Sequence, residues 1–230
     1  MVLAMPPSRN PDGFKCTRKL EAQALRAGWR LVAGCDEVGR GALLGPLYAA
    51  AVILDPAKPI RGVNDCKKLA ACRRQSLALE ISEKALAFKV VSLTAAEVDA
   101  LNVYEASRQG MIRAVLALNP APQFVLTDAM PLEGSGETTG FPIPHRAVVH
   151  GDSLSVSIAA ASILAKVARD AYLQELDRLY PQYGLARNKG YGTRDHLEAL
   201  AAYGPCPEHR KSYQPVKDFL LPLFPFSGAP

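Results

Sequence analysis

Residues Leu31–Pro46 read LVAGCDEVGRGALLGP, an apolar run that ends on Asp36-Glu37 and passes at once into Gly39-Arg40-Gly41. The two acids offer the hard oxygen ligands that divalent cations take. The glycines let the main chain come close to a ligand, and Arg40 adds a planar, permanently positive fork. Open α/β sheets collect their sites at strand ends of this kind, so the stretch bears on fold class as well as on chemistry.

Outward from it, the chain alternates strand and helix patterns. Leu20–Ala27 has helical composition; Trp29–Val38, Leu47–Asp55 and Leu86–Leu93 read as strands, with Ala71–Ala85 helical between the last two. Thr94-Ala95-Ala96-Glu97 fits a capping box and starts a helix that breaks near Asn102 and runs to about Leu118. Pro120 and Pro122 stop it before the strand Phe124–Thr127, which Asp128 ends. Gly134–Thr139 is loop by composition, and Arg146–Val149 is a short strand leading into Gly151-Asp152. A long helix is expected over Ser157–Leu179, then a glycine-studded segment and a last helix near His196–Tyr203. The pattern predicts an α/β fold: a mixed central sheet flanked by helices, with a helical C-terminal region. Residues 1–18 read as a flexible N-terminal segment, 19–217 as one catalytic domain and 218–230 as an apolar tail.

Composition narrows the classes. The 230 residues are 49% hydrophobic, enough for one generous core. Lys and Arg number 27 against 22 Asp and Glu, a net charge of +5 that is compatible with nucleic acid but common elsewhere. No apolar run approaches the roughly 20 residues that span a bilayer, and the start lacks a charged segment followed by an apolar one, so no membrane is involved and the cytoplasm is the expected location. Five scattered cysteines without CxxC spacing read as free thiols. The four histidines show no HExxH-like spacing for zinc.

Taken singly, an Asp-Glu pair is usually solvated surface, and an Asp closing a strand is often a helix cap. Jointly, Asp36, Glu37, Asp128 and Asp152 each sit at or just after an apolar, strand-like run. Convergent carboxylates repel unless a cation lies between them, which points to a divalent metal site. One difficulty is local: neighbours on a regular strand face opposite ways. Either β geometry ends or bulges at Asp36-Glu37, which is the expectation here, or Glu37 acts through its carbonyl or a water.

With these residues in place, the chain resembles ribonuclease HII, the type 2 ribonuclease H, over about Leu20 to Lys217. The blocks that carry the likeness are GxDExGRG at Gly34–Gly41 with Gly45-Pro46, NDCKKL at Asn64–Leu69, Asp128, Gly151-Asp152, AAASILAKVARD at Ala159–Asp170, PQYGLARNKGYGT at Pro181–Thr193 and GPCPEHRKSYQPV at Gly204–Val216. The resemblance implies a ribonuclease H-like fold and an acidic quartet of Asp36, Glu37, Asp128 and Asp152 holding Mg²⁺ or Mn²⁺, two ions during catalysis. It implies RNA/DNA hybrids and duplex DNA containing ribonucleotides as substrates, cut to a 5′-phosphate and a 3′-hydroxyl.

Within that likeness, Gly39, Arg40 and Gly41 contact the ribose and phosphates at the RNA to DNA junction. Tyr191 stacks on the following deoxyribose, although a tyrosine there could simply pack a loop. Lys67 and Lys68 meet phosphates, although paired lysines are more often merely solvated. Ser162, Lys166, Arg169 and Asp170 on the long helix are site supports. Three departures stand out: Cys66 replaces a serine, so any phosphate contact from that hydroxyl is in doubt; Ala129 follows Asp128 where glycine is common; His150 precedes Gly151 where lysine is frequent.

A type 3 ribonuclease H is disfavoured by Arg40 and the short N-terminus, and a non-catalytic hybrid-binding module by the intact quartet. A glycoside hydrolase with a carboxylate pair would need no metal. A monomer is expected. A sliding-clamp interaction lacks a clean motif, since Gln214 is followed three positions later by Lys217.

Overall fold

The computed structural model describes residues 16–133 and 140–220. The loop expected at Gly134–Thr139, most of the N-terminal segment 1–18 and most of the tail 218–230 lie outside the described residues. Helix α1 (Lys19–Arg26) precedes strands β1 (Val32–Val38) and β2 (Leu47–Ile53); helix α2 (Ala71–Lys84) leads to β3 (Ala87–Leu93), and helices α3 (Ala95–Leu101) and α4 (Val103–Leu116) to β4 (Phe124–Asp128). Strand β5 (His145–Val148), a single helical turn α5 (Gly151–Leu154) and the long helix α6 (Val156–Leu179) follow, and α7 (Leu185–Asn188) and α8 (Arg194–Tyr203) form the helical C-terminal region. The sheet has the order β3-β2-β1-β4-β5. It is mixed: β1 runs antiparallel to β2 and parallel to β4, while β2/β3 are antiparallel and β4/β5 parallel.

Strand β2 shows why the run AAAVIL is apolar at every position. Ala50, Val52 and Leu54 face a cluster with Leu77, Ile81 and the α6 residues Ala159–Ala161, Ile163 and Ala165, whereas Ala49, Ala51 and Ile53 pack with Met111, Ala114 and Val115 of α4. A strand covered on both faces has no polar side to alternate. Alanine on β2 and α6 lets helix and sheet sit close. The tightest approach is at Gly34, where a Cβ would overlap the main chain of Ser157 and Ile158.

The break in the α3–α4 region lies at Asn102. Its backbone is in the left-handed region, φ 64°, and its Oδ1 accepts from the Tyr104 and Glu105 N–H groups at 3.0 and 3.1 Å, so one residue ends α3 and caps α4. The capping box forms as the sequence predicts: the Glu97 N–H donates to Thr94 Oγ1 at 3.2 Å and the Thr94 N–H to Glu97 Oε2 at 2.9 Å.

Three sequence expectations change. The first strand starts at Val32, after Trp29 has stacked on Phe124 with ring centroids 5.8 Å apart. Asp152 follows β5 as expected, but it lies in a helical turn, α5, that the sequence pattern does not predict and that precedes the long helix. Most directly, β1 neither ends nor bulges at the acid pair: its pairing with β2 is one-to-one through Asp36↔Ala50, Glu37↔Ala49 and Val38↔Tyr48. Regular extension is kept because β2 pairs with β1 continuously from Ala33 to Val38.

Removing the Thr94 hydroxyl leaves a helix-start N–H without its acceptor. Thr94→Ala is expected to lower unfolding free energy by about 1 kcal/mol, read as a shift in the urea midpoint with an unchanged slope.

Candidate active site at the carboxyl end of the central strand pair

Asp36 and Glu37 leave opposite faces of β1, and both still reach one site. Asp36 shares the α6 face with Gly34, is 5% exposed, hydrogen-bonds with Ser162 of α6 and accepts from the Glu37 N–H at 2.7 Å. Glu37 leaves on the α4 face. The parallel pairing of β1 with β4 runs only as far as Cys35↔Thr127, so from Asp36 onward that edge of β1 carries no ladder and the longer glutamate can turn across it. Both carboxylates feel the charge of Asp128, the last residue of β4.

Asp128 is the hub. Its Oδ1 accepts from the Gly151 N–H at 2.7 Å, which ties the strand end to the turn carrying Asp152. Burial, with the Asp152 charge added, raises its carboxyl above the ordinary range, and the Gly151 bond offsets part of that. Burial, then Glu37 and Asp128, push Asp36 well above its usual value. Burial drives Glu37 up to about 7, against the pull of Arg40, with Asp128 adding to the rise. Glu37 Oε1 accepts from Arg40 Nη1 at 3.2 Å, and its Oε2 is buried without a hydrogen-bond partner.

Asp36, Glu37 and Asp152 thus each lie within charge range of Asp128. Among the described residues, no three His, Cys, Asp or Glu side chains are drawn together tightly enough to hold a cation as they stand. The donor set nonetheless fits a hard divalent ion: carboxylate oxygens that repel one another, one of them orphaned in the interior.

Lys67 Nζ lies 3.6 Å from Asp152 Oδ2, and Lys68 Nζ 3.9 Å from Asp65 Oδ2, at the rim of the acidic group. Asp65 also caps the NDCKK turn by accepting from the Lys67 N–H at 2.9 Å and takes a bond from Ser153 Oγ at 3.3 Å. Cys66 faces inward, buried, with its Sγ 3.3 Å from Ser162 Oγ, so it packs the α6 side and not the open rim.

The glycine turn meets the KGYGT loop. Gly39 has φ 92°, and a Cβ there would overlap the guanidinium of Arg169. The Leu43 and Leu44 N–H groups both donate to the Gly190 carbonyl, at 2.8 and 3.3 Å, and the exposed Tyr191 ring stands about a van der Waals diameter from the Gly41 Cβ position. Arg40, Gly41 and Tyr191 therefore form one surface next to the quartet, with Gly39 buried beneath it against Arg169. Arg40 is not a free fork here, because its guanidinium pairs with Glu37.

Sequence reasoning missed two supports. Glu21, on α1, accepts from Ser155 Oγ and the Ser157 N–H, at 2.5 and 2.9 Å, and so anchors the start of α6. The second is a histidine pair. His209 Nδ1 accepts from the Cys206 N–H at 3.0 Å, and His196 Nδ1 lies 2.9 Å from the Tyr191 carbonyl, which can only accept. His196 Nδ1 therefore carries the proton, and the 3.3 Å contact between the two Nε2 atoms is a His209 N–H donating to a neutral His196. The spacing between these histidines gives no ligand motif, and only the folded chain shows that they address Tyr191.

This chain of bonds needs both rings neutral. Burial, with His196 nearby, holds His209 down at about 4, below an ordinary 6.5. The folded form then binds fewer protons than the unfolded one, so its contribution is full above about pH 6.5 and is lost as pH falls towards 4. About 3 kcal/mol of stability is expected to disappear across that window. Denaturation titrations should show it, with a flatter acid limb in His209→Gln.

Comparison with known proteins places this architecture. A family model described as Ribonuclease HII matches residues 33–216. Ribonuclease HII of Solibacter usitatus (strain Ellin6076) is 47% identical over 225 residues, covering 94% of this chain and 96% of that one. Among solved structures, the ribonuclease H2 of Pyrococcus horikoshii OT3 superposes with a TM-score of 0.70 at 24% identity, over 83% of this chain and 97% of the other, a likeness of fold. The RNase HII in a PCNA:RNase HII complex from Archaeoglobus fulgidus gives 0.67 at 27% identity, over 80% and 96%. Bst-RNase HIII in complex with Mn²⁺ gives 0.60 at 20% identity, over 83% and 69%, again a likeness of fold. With a ribonuclease H-like sheet and its acids at the end of the β1–β4 pair, this chain belongs to the ribonuclease HII family and is a phosphodiester-hydrolysing ribonuclease H.

Proposed function

We propose that the chain nicks duplex DNA on the 5′ side of embedded ribonucleotides, as well as cutting the RNA strand of RNA/DNA hybrids, with Asp36, Glu37, Asp128 and Asp152 holding two divalent cations. The observation that carries this reading is the meeting of Asp128 with Asp36 and Glu37 beside the surface of Gly39–Gly41 and Tyr191. The Mn²⁺ complex of a fold neighbour supports the metal, as does the orphaned Glu37 oxygen.

Bound cations would supply positive charge for activating a water and for stabilising the departing 3′ oxygen. The protein's own groups do the rest. Asp128 is held by Gly151, and Asp36 by Ser162 and the Glu37 N–H, so these two carboxylates would be fixed points on which the metals assemble, while Glu37 and Asp152 would leave their salt bridges to join them. Lys67, 81% exposed in its side chain, is free to swing from Asp152 to a phosphate. The exposed main chain at Gly41, seated on the buried Gly39, would face the ribose 2′-hydroxyl, the one group that separates RNA from DNA. Tyr191 offers a ring face for the next sugar. When Arg40 is drawn towards a phosphate, Glu37 is released from its salt bridge.

The clamp-bound neighbour makes a sliding-clamp partner reasonable for this family, and the apolar tail is the segment in which to look for it. No helix of the described residues is long and apolar enough to cross a membrane.

A duplex with one ribonucleotide, incubated with the protein and Mg²⁺, should be nicked once, leaving a 5′-phosphate on the ribonucleotide and a 3′-hydroxyl on the deoxynucleotide upstream of it; EDTA should stop the reaction. Asp128→Asn is expected to reduce the rate by at least about a thousandfold with the melting temperature unchanged or raised, since it removes a repelled charge. A fully active Asp128→Asn protein would overturn the metal assignment.

A further inference from the structure

Two arginines, Arg169 and Arg210, are fully buried beneath the glycine turn. Neither forms an ion pair with a carboxylate among the described residues; both spend their donors on main-chain carbonyls. Arg169 donates from Nε to Pro46 at 3.0 Å, from Nη1 to Lys189 at 2.8 Å and from Nη2 to Leu44 at 3.3 Å. Arg210 donates from Nε and Nη2 to the Gly45 carbonyl at 3.1 and 3.0 Å and from Nη1 to the Arg40 carbonyl at 2.8 Å. Tyr213 adds a second bond to that same Arg40 carbonyl, at 2.7 Å, and accepts from Arg210 Nη1 at 3.2 Å.

The guanidiniums also touch the recognition surface from behind. Arg169 packs directly against Gly39 Cα and lies under the Tyr191 ring, 5.6 Å from its centroid. Arg210 lies over the ring of Tyr213 at 5.2 Å. One side chain thus bonds the turn, the 189–190 main chain and the Tyr191 ring together, while the other holds both ends of the segment from Arg40 to Gly45.

Burying a cation without an anion costs several kcal/mol, and an apolar side chain would fill such space at lower cost. The planar fork supplies several bonds of fixed direction from one rigid group, which neither an aliphatic side chain nor a lysine can do. From this we infer that Arg169 and Arg210 are positioning residues: they set the distance between the Gly39–Gly41 main chain and the Tyr191 ring, and through it the discrimination between a ribonucleotide and a deoxyribonucleotide at the cut site. The inference rests on the proposed reading of that surface as the ribose sensor.

The test uses the full chain with Mg²⁺, a duplex bearing one ribonucleotide as substrate and the matched all-DNA duplex as competitor. Arg169→Lys keeps the charge and loses the fork. Its kcat/KM on the ribonucleotide duplex should fall on the order of thirtyfold, the scale of a misplacement below 1 Å, while the inhibition constant of the all-DNA duplex stays within about twofold. Rates are normalised to the folded fraction read by circular dichroism and thermal melting, so loss of folded protein alone would leave the normalised kcat/KM unmoved.

Tyr213→Phe deletes two bonds of the network without touching a buried charge, and it carries the test should the lysine variant fail to fold. A threefold to tenfold fall in kcat/KM with an unmoved competitor is expected there, roughly the worth of one hydrogen bond. Equal weakening towards both duplexes, or a kcat/KM within twofold of the unsubstituted protein in the folded variants, overturns the inference. An unsubstituted protein that nicks no ribonucleotide duplex is a different result, for it sinks the proposed substrate itself.

Discussion

The seat of α6 on β1 is the constraint from which the site follows. Because Gly34 has no Cβ, the main chain of Ser157 and Ile158 lies against the strand, and the helix then runs alongside it. Ser162 meets Asp36, Arg169 meets Gly39, and Leu173 meets Gly45, so successive helix turns address successive positions of the strand and its turn. A side chain at position 34 would lift the helix, and each of these contacts would be lost together. Packing and chemistry are therefore not separate layers here: the small residues that let the core close also set where the carboxylates and the recognition turn stand.

The interior charges around that seat have two different solutions. Arg169 and Arg210 are buried cations satisfied by carbonyl oxygens and, among the described residues, ion-paired with no carboxylate. The quartet consists of buried and half-buried acids that pair with Arg40 on one side and Lys67 on the other, both at the open rim. Like charges held in a low-dielectric environment raise the cost of ionisation, as the upward shifts of Asp36, Glu37 and Asp128 show. A fold does not gain stability from such an arrangement; it becomes a site that gains by binding positive ions, and the excess of carboxylates is the physical reason to expect them.

Much of this was legible before the structure. Period and caps located the helices to within a residue or two, and the acids stood out because each followed an apolar run. What the sequence hid had a common cause. Arg169 and Arg210 bond main-chain carbonyls more than a hundred residues away in the chain, and a carbonyl belongs to every residue alike, so no side-chain pattern announces the partner. His196 and His209 are hidden for the same reason: their partners are a peptide N–H, a peptide carbonyl and each other, which no ligand spacing encodes. The turn α5 was hidden because four residues are too few to show a helical period.

The adjacency of Asp36 and Glu37 shows how a local rule can hold and its expected consequence still fail. Alternation does send the two side chains to opposite faces, and β1 stays regular against β2. The expectation of a bulge assumed that a strand separates its two faces everywhere. It does so only where neighbours flank it on both sides, and β1 is unflanked beyond Cys35 on the β4 side. Past that point the sheet has an edge, and a glutamate, with one more methylene than an aspartate, can come round it towards Asp128. The order Asp then Glu suits that geometry: the shorter acid sits on the face where Gly34 lets α6 press close, and the longer one leaves from the opposite face, past the open edge. Exchanging the two would crowd Ser162 and leave the far side short.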